Sequence, residues 1–472
     1  MEYKNISFIK NGQFYGTGDF IYEDACLTLE LNQEKYKIQN TNAFDGLIKI
    51  RQLIYPLIPQ CMGAAIDVYP SGMSRDMAQG RIAYQTKFGE SPSRFDHVNI
   101  FDTVDINKLA TVEEQKKYHS DWLDSRVYYD PKTFFIDIDE KLVNKYKGSL
   151  LGLACGDALG TTLEFKAPSS FKPISDMLGE GPFKLQAGQW TDDTSMALCL
   201  SRSLIDKKGF DATDQMNKYV MWYKNGYLSS TGHCFDIGNT TRDALERFIA
   251  TNNPFSGSSD PFSAGNGSLM RVAPIALFFL KNPSLAISKA GESSKTTHGA
   301  LEAIEACRYF TALLLGILQG FSKKEVLSES FCMDQYSLSF SNTPKINEIV
   351  NGSYKRKSPP DIEGSGYVIK SLEAALWAFY NSSDFKEGCL LAANLGDDAD
   401  TTSAIYGQLA GAFYGKDGIP QSWRSKVFYQ PLIESFAIAL YRLANHQKET
   451  SSKKIKGLKW KGFLNQFLQK RK

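Results

Sequence analysis

The sequence TDDT at residues 191–194 stands directly in front of an apolar run and is suited to metal chemistry. A threonine or aspartate is common at the start of a helix, where its side chain accepts a backbone N–H bond. Two adjacent carboxylates, Asp192 and Asp193, repel each other, and a helix dipole offsets only about 0.3–1 kcal/mol of that repulsion. A cation bound with the help of Thr191 is the other way to neutralise the pair.

A second acidic cluster lies much later in the chain, in LGDDADTTSAIYGQLAGA, where Asp398 and Asp400 precede Thr401 and another apolar run. Carboxylate and hydroxyl oxygens suit a hard cation such as Mg²⁺ or Mn²⁺, and neither cluster contains a His or Cys that would favour zinc. One such cluster is typical of an acidic helix start at the protein surface. Two clusters with the same placement of threonine favour one shared site, which would hold two cations ~3.5–4 Å apart.

Both clusters lie within residues 136–447, which we expect to form a compact all-α domain. Segments such as YKGSLLGLACGDALGTTLEF, TSMALCLSRSLI and TSAIYGQLAGAFYG have apolar residues at helical spacing and many Gly and Ala. Small side chains at these spacings allow helices to approach closely. We expect each acidic cluster to begin one of these helices.

Residues 1–135 have a different texture and predict a small α+β domain without a catalytic motif. The segment around Asn11-Gly12 predicts two strands joined by a tight turn, and ACLTLELNQEKYKIQ continues the β pattern. FDGLIKIRQLIYPLIP predicts a helix that ends at Pro56 or Pro59. The charged residues 105–140 predict a helix and a linker.

The C-terminal tail, residues 448–472, is rich in lysine and has no acidic residue after Glu449. Trp460, Phe463 and Phe467 are spaced to share one helical face. This pattern fits a solvated terminal helix that packs on the preceding domain, and it also fits a surface for a membrane or an anionic partner.

Composition excludes several classes of protein. The chain has 472 residues and a formal net charge of +2, so no overall field indicates nucleic acid or a membrane as partner. Its eight cysteines form no Cys-x-x-Cys pair and indicate reduced thiols. No apolar run approaches the ~20 residues of a membrane span, and no signal core is present. We expect a cytoplasmic monomer.

Five stretches in order resemble the ADP-ribosylglycohydrolase family, which includes dinitrogenase reductase-activating glycohydrolase. They are GSLLGLACGDALGTTLEF, GQWTDDTSMAL, FDIGNTTRDAL, GNGSLMRVAPIAL and NLGDDADTTSAIYGQLAGA. The resemblance spans residues 145–445 and implies a compact all-α bundle, in agreement with the helical pattern. It implies hydrolysis of the N-glycosidic bond between ADP-ribose and a protein side chain, with an oxocarbenium-like transition state.

The resemblance also implies a binuclear magnesium or manganese centre. Its ligands would be Thr191, Asp192, Asp193, Asp398, Asp400 and Thr401. The family often has Gly-Gly-Asp-Thr-Asp-Thr at the second cluster, so Asp397 here replaces a glycine and Ala399 replaces a threonine. Neither replacement removes a ligand.

Further residues receive roles from the same resemblance. Glu164 would hold a water or gate the pocket, and Asp236 would face the scissile bond, so these two and Asp193 are the candidate catalytic carboxylates. Asn239 would line the pocket. The turn formed by Gly265, Asn266, Gly267 and Ser268 would cradle the diphosphate through backbone N–H groups.

Four residues have competing structural interpretations. His298 and Tyr367 would lie near the nucleotide, yet each is equally typical of a helix start with a buried ring. We expect Asp157 to cap or bridge elements within the fold. Arg271 is expected in a structural ion pair.

We therefore expect a hydrolase that reverses protein mono-ADP-ribosylation, with ADP-ribosylarginine as the favoured linkage. Alternatives are ADP-ribosylserine or free ADP-ribose derivatives, a structural protein, and a non-catalytic protein that occludes a toxin. The extra N-terminal domain suggests an immunity protein whose partners are a modified target protein and a cognate ADP-ribosyltransferase toxin.

Overall fold

The computed structural model describes residues 2–86, 92, 96–125 and 139–445. The chain divides into two compact units, Met1–Tyr128 and Tyr129–Lys472. The predicted linker from residue 126 and the basic tail 448–472, with its predicted helix, lie outside the described residues. The first unit contains two β-sheets and the second is helical, so the predicted α+β and all-α classes are confirmed.

The N-terminal unit is built on antiparallel sheets. Its strands are β1 (Glu2–Lys10), β2 (Gln13–Glu23), β3 (Cys26–Leu31), β4 (Glu34–Ile38), β5 (Ile58–Pro59), β6 (Val68–Tyr69), β7 (Ile82–Gln85) and β8 (His97–Asn99). One sheet has the order β4-β3-β2-β1-β5 and the other has the order β6-β7-β8. The predicted turn at Asn11-Gly12 joins β1 to β2, and both turn residues have positive φ, as a two-residue hairpin requires.

The described part of this unit also contains the α-helices α1 (Ala43–Ile54), α2 (Gly72–Met77) and α3 (Val112–Ser125). Helix α1 starts at Asn42, whose side chain accepts the N–H of Asp45, and it ends just before Pro56, as predicted. Its apolar face, with Leu47 and Ile50, is buried in the core of the larger sheet. The predicted helix and its end before Pro56 are therefore confirmed.

The second unit is all helical in its described part. Its helices are α4 (Glu140–Gly160), α5 (Asp192–Lys207), α6 (Ala212–Asn225), α7 (Asn239–Thr251), α8 (Ala273–Phe278), α9 (Pro283–Lys295), α10 (Leu301–Gln319), α11 (Lys323–Val326), α12 (Phe331–Tyr336), α13 (Pro344–Val350), α14 (Val368–Asn381), α15 (Phe385–Ala393), α16 (Ala399–Gly418), α17 (Gln421–Arg424) and α18 (430–445). Within the described residues, no helix combines the length and apolar character needed to cross a membrane.

Helices α4 and α16 pack against each other at the centre of this unit through glycine. A Cβ added to Gly152 would lie 2.2 Å from the carbonyl oxygen of Gly407, and one added to Gly407 would lie 2.0 Å from the carbonyl oxygen of Gly152. A Cβ on Gly160 would lie 2.3 Å from the carbonyl oxygen of Ala399. The end of α4 therefore lies against the start of α16, where the second acidic cluster begins.

We expect Gly407→Ala to lower the free energy of unfolding by about 3 kcal/mol. Alanine favours a helix by about 1 kcal/mol over glycine, but the added methyl group forces the two backbones apart, and that overpacking costs more. Gly209→Ala is the control, because its Cβ would lie 3.9 Å from the nearest atom. Chemical denaturation measures both variants, and equal stability of the two would contradict the close packing.

Candidate metal centre and active site

The two acidic clusters meet at the N-termini of α5 and α16. Helix α5 starts after Thr191, and α16 starts after Asp398. The Thr191 hydroxyl oxygen lies 3.2 Å from Asp193 Oδ2 and 3.2 Å from Asp400 Oδ2. Residues separated by 209 positions are thus brought into contact by the packing of the helices.

Asp157, on α4, connects the first cluster to this contact. Its Oδ1 accepts bonds from the Thr191 N–H at 2.8 Å and hydroxyl at 2.9 Å. Its Oδ2 accepts bonds from the Thr194 N–H at 3.0 Å and hydroxyl at 2.6 Å. The prediction that Asp157 caps or bridges elements agrees with these four bonds, since it caps α5 from another helix.

The Thr191 hydroxyl is shared by more acceptors than it can satisfy. Oxygens of Asp157, Asp193 and Asp400 all lie within 3.2 Å of it, but a hydroxyl has one proton to donate. One carboxylate oxygen from each of these three residues also lies within 4.8 Å of the others. At least two of these three carboxylates therefore receive no hydrogen bond from the Thr191 hydroxyl, and they lie close enough to repel each other.

A second oxygen group adjoins the first through Asp400. It consists of Glu164, which follows α4, Asp236, which precedes α7, and Asp400, whose carboxylate oxygens lie within 4.8 Å of one another. The side chain of Asp236 shares hydrogen bonds with Glu164 and with Asp400. Three segments that the resemblance assigns to the site thus converge, and Asp400 belongs to both groups.

Burial raises the pKa of every carboxyl group in these two groups, and repulsion from neighbouring carboxylates adds to it for Glu164, Asp193, Asp236 and Asp400. Burial is the main cause, and it raises the pKa of Asp157 to about 6, of Asp236 to about 7 and of Glu164 to about 10. Burial and the neighbouring carboxylates also raise the pKa values of Asp193 and Asp400 well above the usual range. The groups resist ionisation together unless a cation is present.

The donor set fits divalent cations. Asp193 Oδ1 and Glu164 Oε2 are buried and have no hydrogen-bond partner. None of the ion pairs found among the described residues joins a lysine or arginine to one of these carboxylates. Buried, unpaired carboxylate oxygens without a basic partner are the ligands that Mg²⁺ or Mn²⁺ prefers.

The remaining predicted ligands lie beside these groups. Asp192 is buried, and its pKa is raised by burial and then by Asp236 and Asp193. Asp398 accepts a bond from the Asn266 side-chain amide at 2.8 Å, which links the second cluster to the predicted diphosphate turn. Thr401 follows Asp400 in the first turn of α16 and is buried.

The turn at residues 265–268 approaches the helix start at Tyr367. Gly265 and Tyr367 form an isolated antiparallel bridge, and the Asn266 N–H donates to the carbonyl of Gly366 at 3.1 Å. Ser268 is buried, and its hydroxyl lies 2.9 Å from that of Ser294, so its side chain faces the interior. At Ser268, therefore, only the backbone N–H group is free to take part in the predicted diphosphate cradle.

Tyr367 and Asn239 lie at more exposed places. The Tyr367 hydroxyl donates to Glu302 at 2.5 Å and accepts a bond from Lys345 at 2.7 Å. These two bonds fix the hydroxyl end of a partly buried ring. Asn239 begins α7, is exposed, and accepts a bond from Arg242 at 2.7 Å. These contacts are local and leave the predicted nucleotide roles untested.

His298 lies directly behind the 265–268 turn. A Cβ on Gly267 would lie 2.8 Å from its Cε1 atom, so the turn passes closely over the ring. Burial, followed by Arg271, lowers the pKa of His298 to about 3, so the ring is neutral. Arg271 donates to the Thr297 hydroxyl, which lies 2.8 Å from His298 Nδ1.

The expected ion pair of Arg271 is wrong. Within the described residues no carboxylate pairs with it. Its guanidinium lies 4.4 Å from the centre of the Tyr219 ring, and its Nη2 donates to Thr297 at 2.6 Å. A cation–π contact thus replaces the salt bridge in this buried position.

Comparisons with known proteins cover the helical unit. The profile of the ADP-ribosylglycohydrolase family matches residues 139–450. ADP-ribosylarginine hydrolase Tri1 of Pseudomonas putida (strain GB-1) is 45% identical over 338 residues, 72% of this chain and 87% of the relative. Tri1 of Serratia proteamaculans (strain 568) is 40% identical over 336 residues, 71% of this chain and 87% of the relative.

A solved ADP-ribosylglycohydrolase-related protein complex provides a structural match. The matching chain is 42% identical, with a TM-score of 0.57 over 65% of this chain and 99% of its own length. The chain belongs to the ADP-ribosylglycohydrolase family and is a glycohydrolase enzyme.

Proposed function

We propose that this enzyme removes ADP-ribose from modified arginine side chains and uses two divalent cations, Mg²⁺ or Mn²⁺. The observation that carries the proposal is the pair of buried oxygen groups that share Asp400. The arginine linkage is supported by the two ADP-ribosylarginine hydrolases at 40–45% identity.

The two oxygen groups would hold one cation each. Asp193 and Asp400, oriented by Asp157 through Thr191, would serve one, and Glu164 and Asp236 with Asp400 would serve the other. Asp192, Asp398, Thr191 and Thr401 would complete the ligand shells. When bound, such ions supply Lewis-acid polarisation and lower the pKa of a coordinated water. The helix N-termini of α5 and α16 point at the same place and add partial positive charge.

Proton transfer falls to Glu164 and Asp236. They share a hydrogen bond, and burial raises the pKa of Glu164 further than that of Asp236. A pair whose pKa values are pushed apart can hold one proton beside the leaving group, and Asp193 is a further proton acceptor.

The activity is tested by release of ADP-ribose from an arginine-ADP-ribosylated protein, with Mg²⁺, with Mn²⁺ and with EDTA. We expect release that requires a divalent cation. A serine-ADP-ribosylated peptide is the comparison substrate, and release from it alone would replace arginine by serine as the linkage. Release at the same rate in EDTA would contradict the metal site, and binding without any release would favour an occluding protein.

We expect Asp157→Asn to reduce activity and cation affinity about 10- to 100-fold, the usual loss for a group that orients metal ligands. An asparagine has one acceptor oxygen, so it cannot accept the N–H and hydroxyl of both Thr191 and Thr194. Calorimetric titration with Mn²⁺ and steady-state assays measure the effect. Asp206→Asn, at a partly exposed position on α5, is the control and should leave both values unchanged.

We further propose that the N-terminal unit serves an immunity role by binding a cognate ADP-ribosyltransferase toxin. It lies outside the family match, which begins at residue 139, so the shared hydrolase activity does not require it. The reaction would take place in the cytoplasm, in agreement with eight unpaired cysteines. Toxin capture by the full chain but not by a folded truncation that starts at residue 129 is expected; equal capture by both would contradict this role.

A further inference from the structure

Three phenylalanine rings form a row beside the second oxygen group. The centres of the Phe165 and Phe183 rings lie 6.4 Å apart, and those of Phe183 and Phe235 lie 5.2 Å apart, both in edge-to-face geometry. Phe165 is 68% exposed. We call Phe165, Phe183 and Phe235 the phenylalanine row.

Two residues of the phenylalanine row are adjacent in sequence to residues of the second oxygen group. Phe165 directly follows Glu164, and Phe235 directly precedes Asp236. The carboxyl groups of Glu164 and Asp236 share a hydrogen bond. Two distant segments therefore each carry a ring of the row next in sequence to one of these carboxyl groups, and Phe183, from a third segment, contacts both rings.

The backbone at Phe165 is held in an unfavourable conformation. Its φ is 59°, in the left-handed region that a bulky residue rarely adopts, and Asp236 has φ of 57°. Two hydrogen bonds fix this place: the Phe165 N–H donates to the Asp397 carbonyl at 2.8 Å, and the Asp397 N–H donates to the Lys166 carbonyl at 2.8 Å. Because the ring is mostly exposed, its burial does not offset the strain, and a ligand contact is the better explanation.

Aromatic faces next to carboxyl groups recognise a planar cation. A guanidinium stacks on aromatic rings while its N–H groups donate to carboxylates in the ring plane. We propose that the phenylalanine row binds the guanidinium and methylene chain of the ADP-ribosylated arginine and so selects arginine over serine. This inference rests on the proposed function and names the part of the substrate that these residues contact.

A serine linkage would gain little from this surface. Serine carries neither a cation nor a methylene chain, so the rings would contribute neither cation–π attraction nor apolar contact to it. A serine side chain also lacks the N–H groups with which a guanidinium can donate hydrogen bonds to the carboxyl oxygens of Glu164 and Asp236. The ADP-ribose part of the substrate is common to both linkages and should not depend on the row.

The test compares two ligands, ADP-ribosylarginine and free ADP-ribose, on Phe165→Leu and Phe235→Leu in the full chain with Mg²⁺. We expect KM for ADP-ribosylarginine to rise roughly 5-fold, the range of a partly exposed cation–π contact, while the Kd for ADP-ribose stays within about twofold of wild type. Phe165→Tyr keeps the ring and should keep the wild-type KM. Phe14→Leu is the matched control, since Phe14 is 67% exposed in the other unit.

Each outcome decides the inference. An unchanged KM in both leucine variants overturns it, and so does a parallel loss of ADP-ribose affinity, which would place the rings on the nucleotide. If wild type releases no ADP-ribose from arginine, the proposed function and this inference both fail. If wild type releases it and the leucine variants match wild type, the inference alone fails. Thermal midpoints show that the variants are folded, and the two positions test the row independently.

Discussion

Replacing Asp192 and Asp193 together by asparagine is expected to lower the rate of ADP-ribose release about a thousandfold, or about 4 kcal/mol of transition-state stabilisation. Both side chains are buried at the start of α5. Asparagine keeps their size, and its amide is a much weaker ligand for a hard cation than a carboxylate. Steady-state release from an arginine-modified protein, with Mg²⁺ at saturating concentration, measures the loss.

The same double variant should be more stable than wild type in EDTA, because two mutually repelling buried carboxyl groups are removed. Asp243→Asn is the control, since Asp243 is exposed on α7 and outside the oxygen groups. A double variant that folds, binds Mn²⁺ and releases ADP-ribose at the wild-type rate would show that the first cluster is not a ligand set.

Removing the divalent cation is expected to make stability fall as pH rises from about 6.5 to about 8.5. The pKa of Asp236 is raised to about 7 and that of Glu164 to about 10, mainly by burial. In the unfolded chain the pKa of an aspartate is about 3.9 and that of a glutamate about 4.3. In this pH range the folded state therefore binds more protons than the unfolded state. The stability they contribute is full below pH 4 and is lost as pH rises through the folded pKa values.

The lower limit of this pH range is set by His298. Its pKa is lowered to about 3 by burial, so its contribution has the opposite sign and is complete once the pH exceeds the unfolded value of about 6.5. Above that pH the carboxyl groups dominate the slope. Thermal midpoints measured in EDTA across this range test the prediction.

Saturating Mg²⁺ or Mn²⁺ should remove the slope and raise the midpoint by about 5 °C, since ligand at a hundred times its Kd contributes about 2.7 kcal/mol. The gain should increase with pH, because cations and protons compete for the same oxygens. The same slope with and without the cation would contradict a metal site at Asp236 and Glu164.

The sequence predicted features that depend on local residue types. The TDDT and DDADTT clusters indicated helix starts with metal ligands, and α5 and α16 begin there. The Asn11-Gly12 turn and the end of α1 before Pro56 were also predicted, because turn chemistry and proline act within a few residues. The helical pattern with frequent glycine correctly indicated close helix packing.

Other features depended on packing between distant segments. Asp157 was predicted to be structural, and its place in an oxygen group with Asp193 and Asp400 required α4 to lie against α16. Arg271 stacks on Tyr219, and no local pattern distinguishes that contact from an ion pair. The family motif around GDALG, at the end of α4, was the sequence signal available for the role of Asp157.

By itself the sequence determined the classes of the two units, the family of the helical one and the residue types of the site, since helical periodicity, turn residues and short motifs are properties of neighbouring positions. Only the tertiary structure decided which carboxylates come together, which hydroxyl lies between them and which phenylalanine rings contact one another. Those contacts join residues far apart in the chain, and backbone approach at glycine, not local preference, sets their distances.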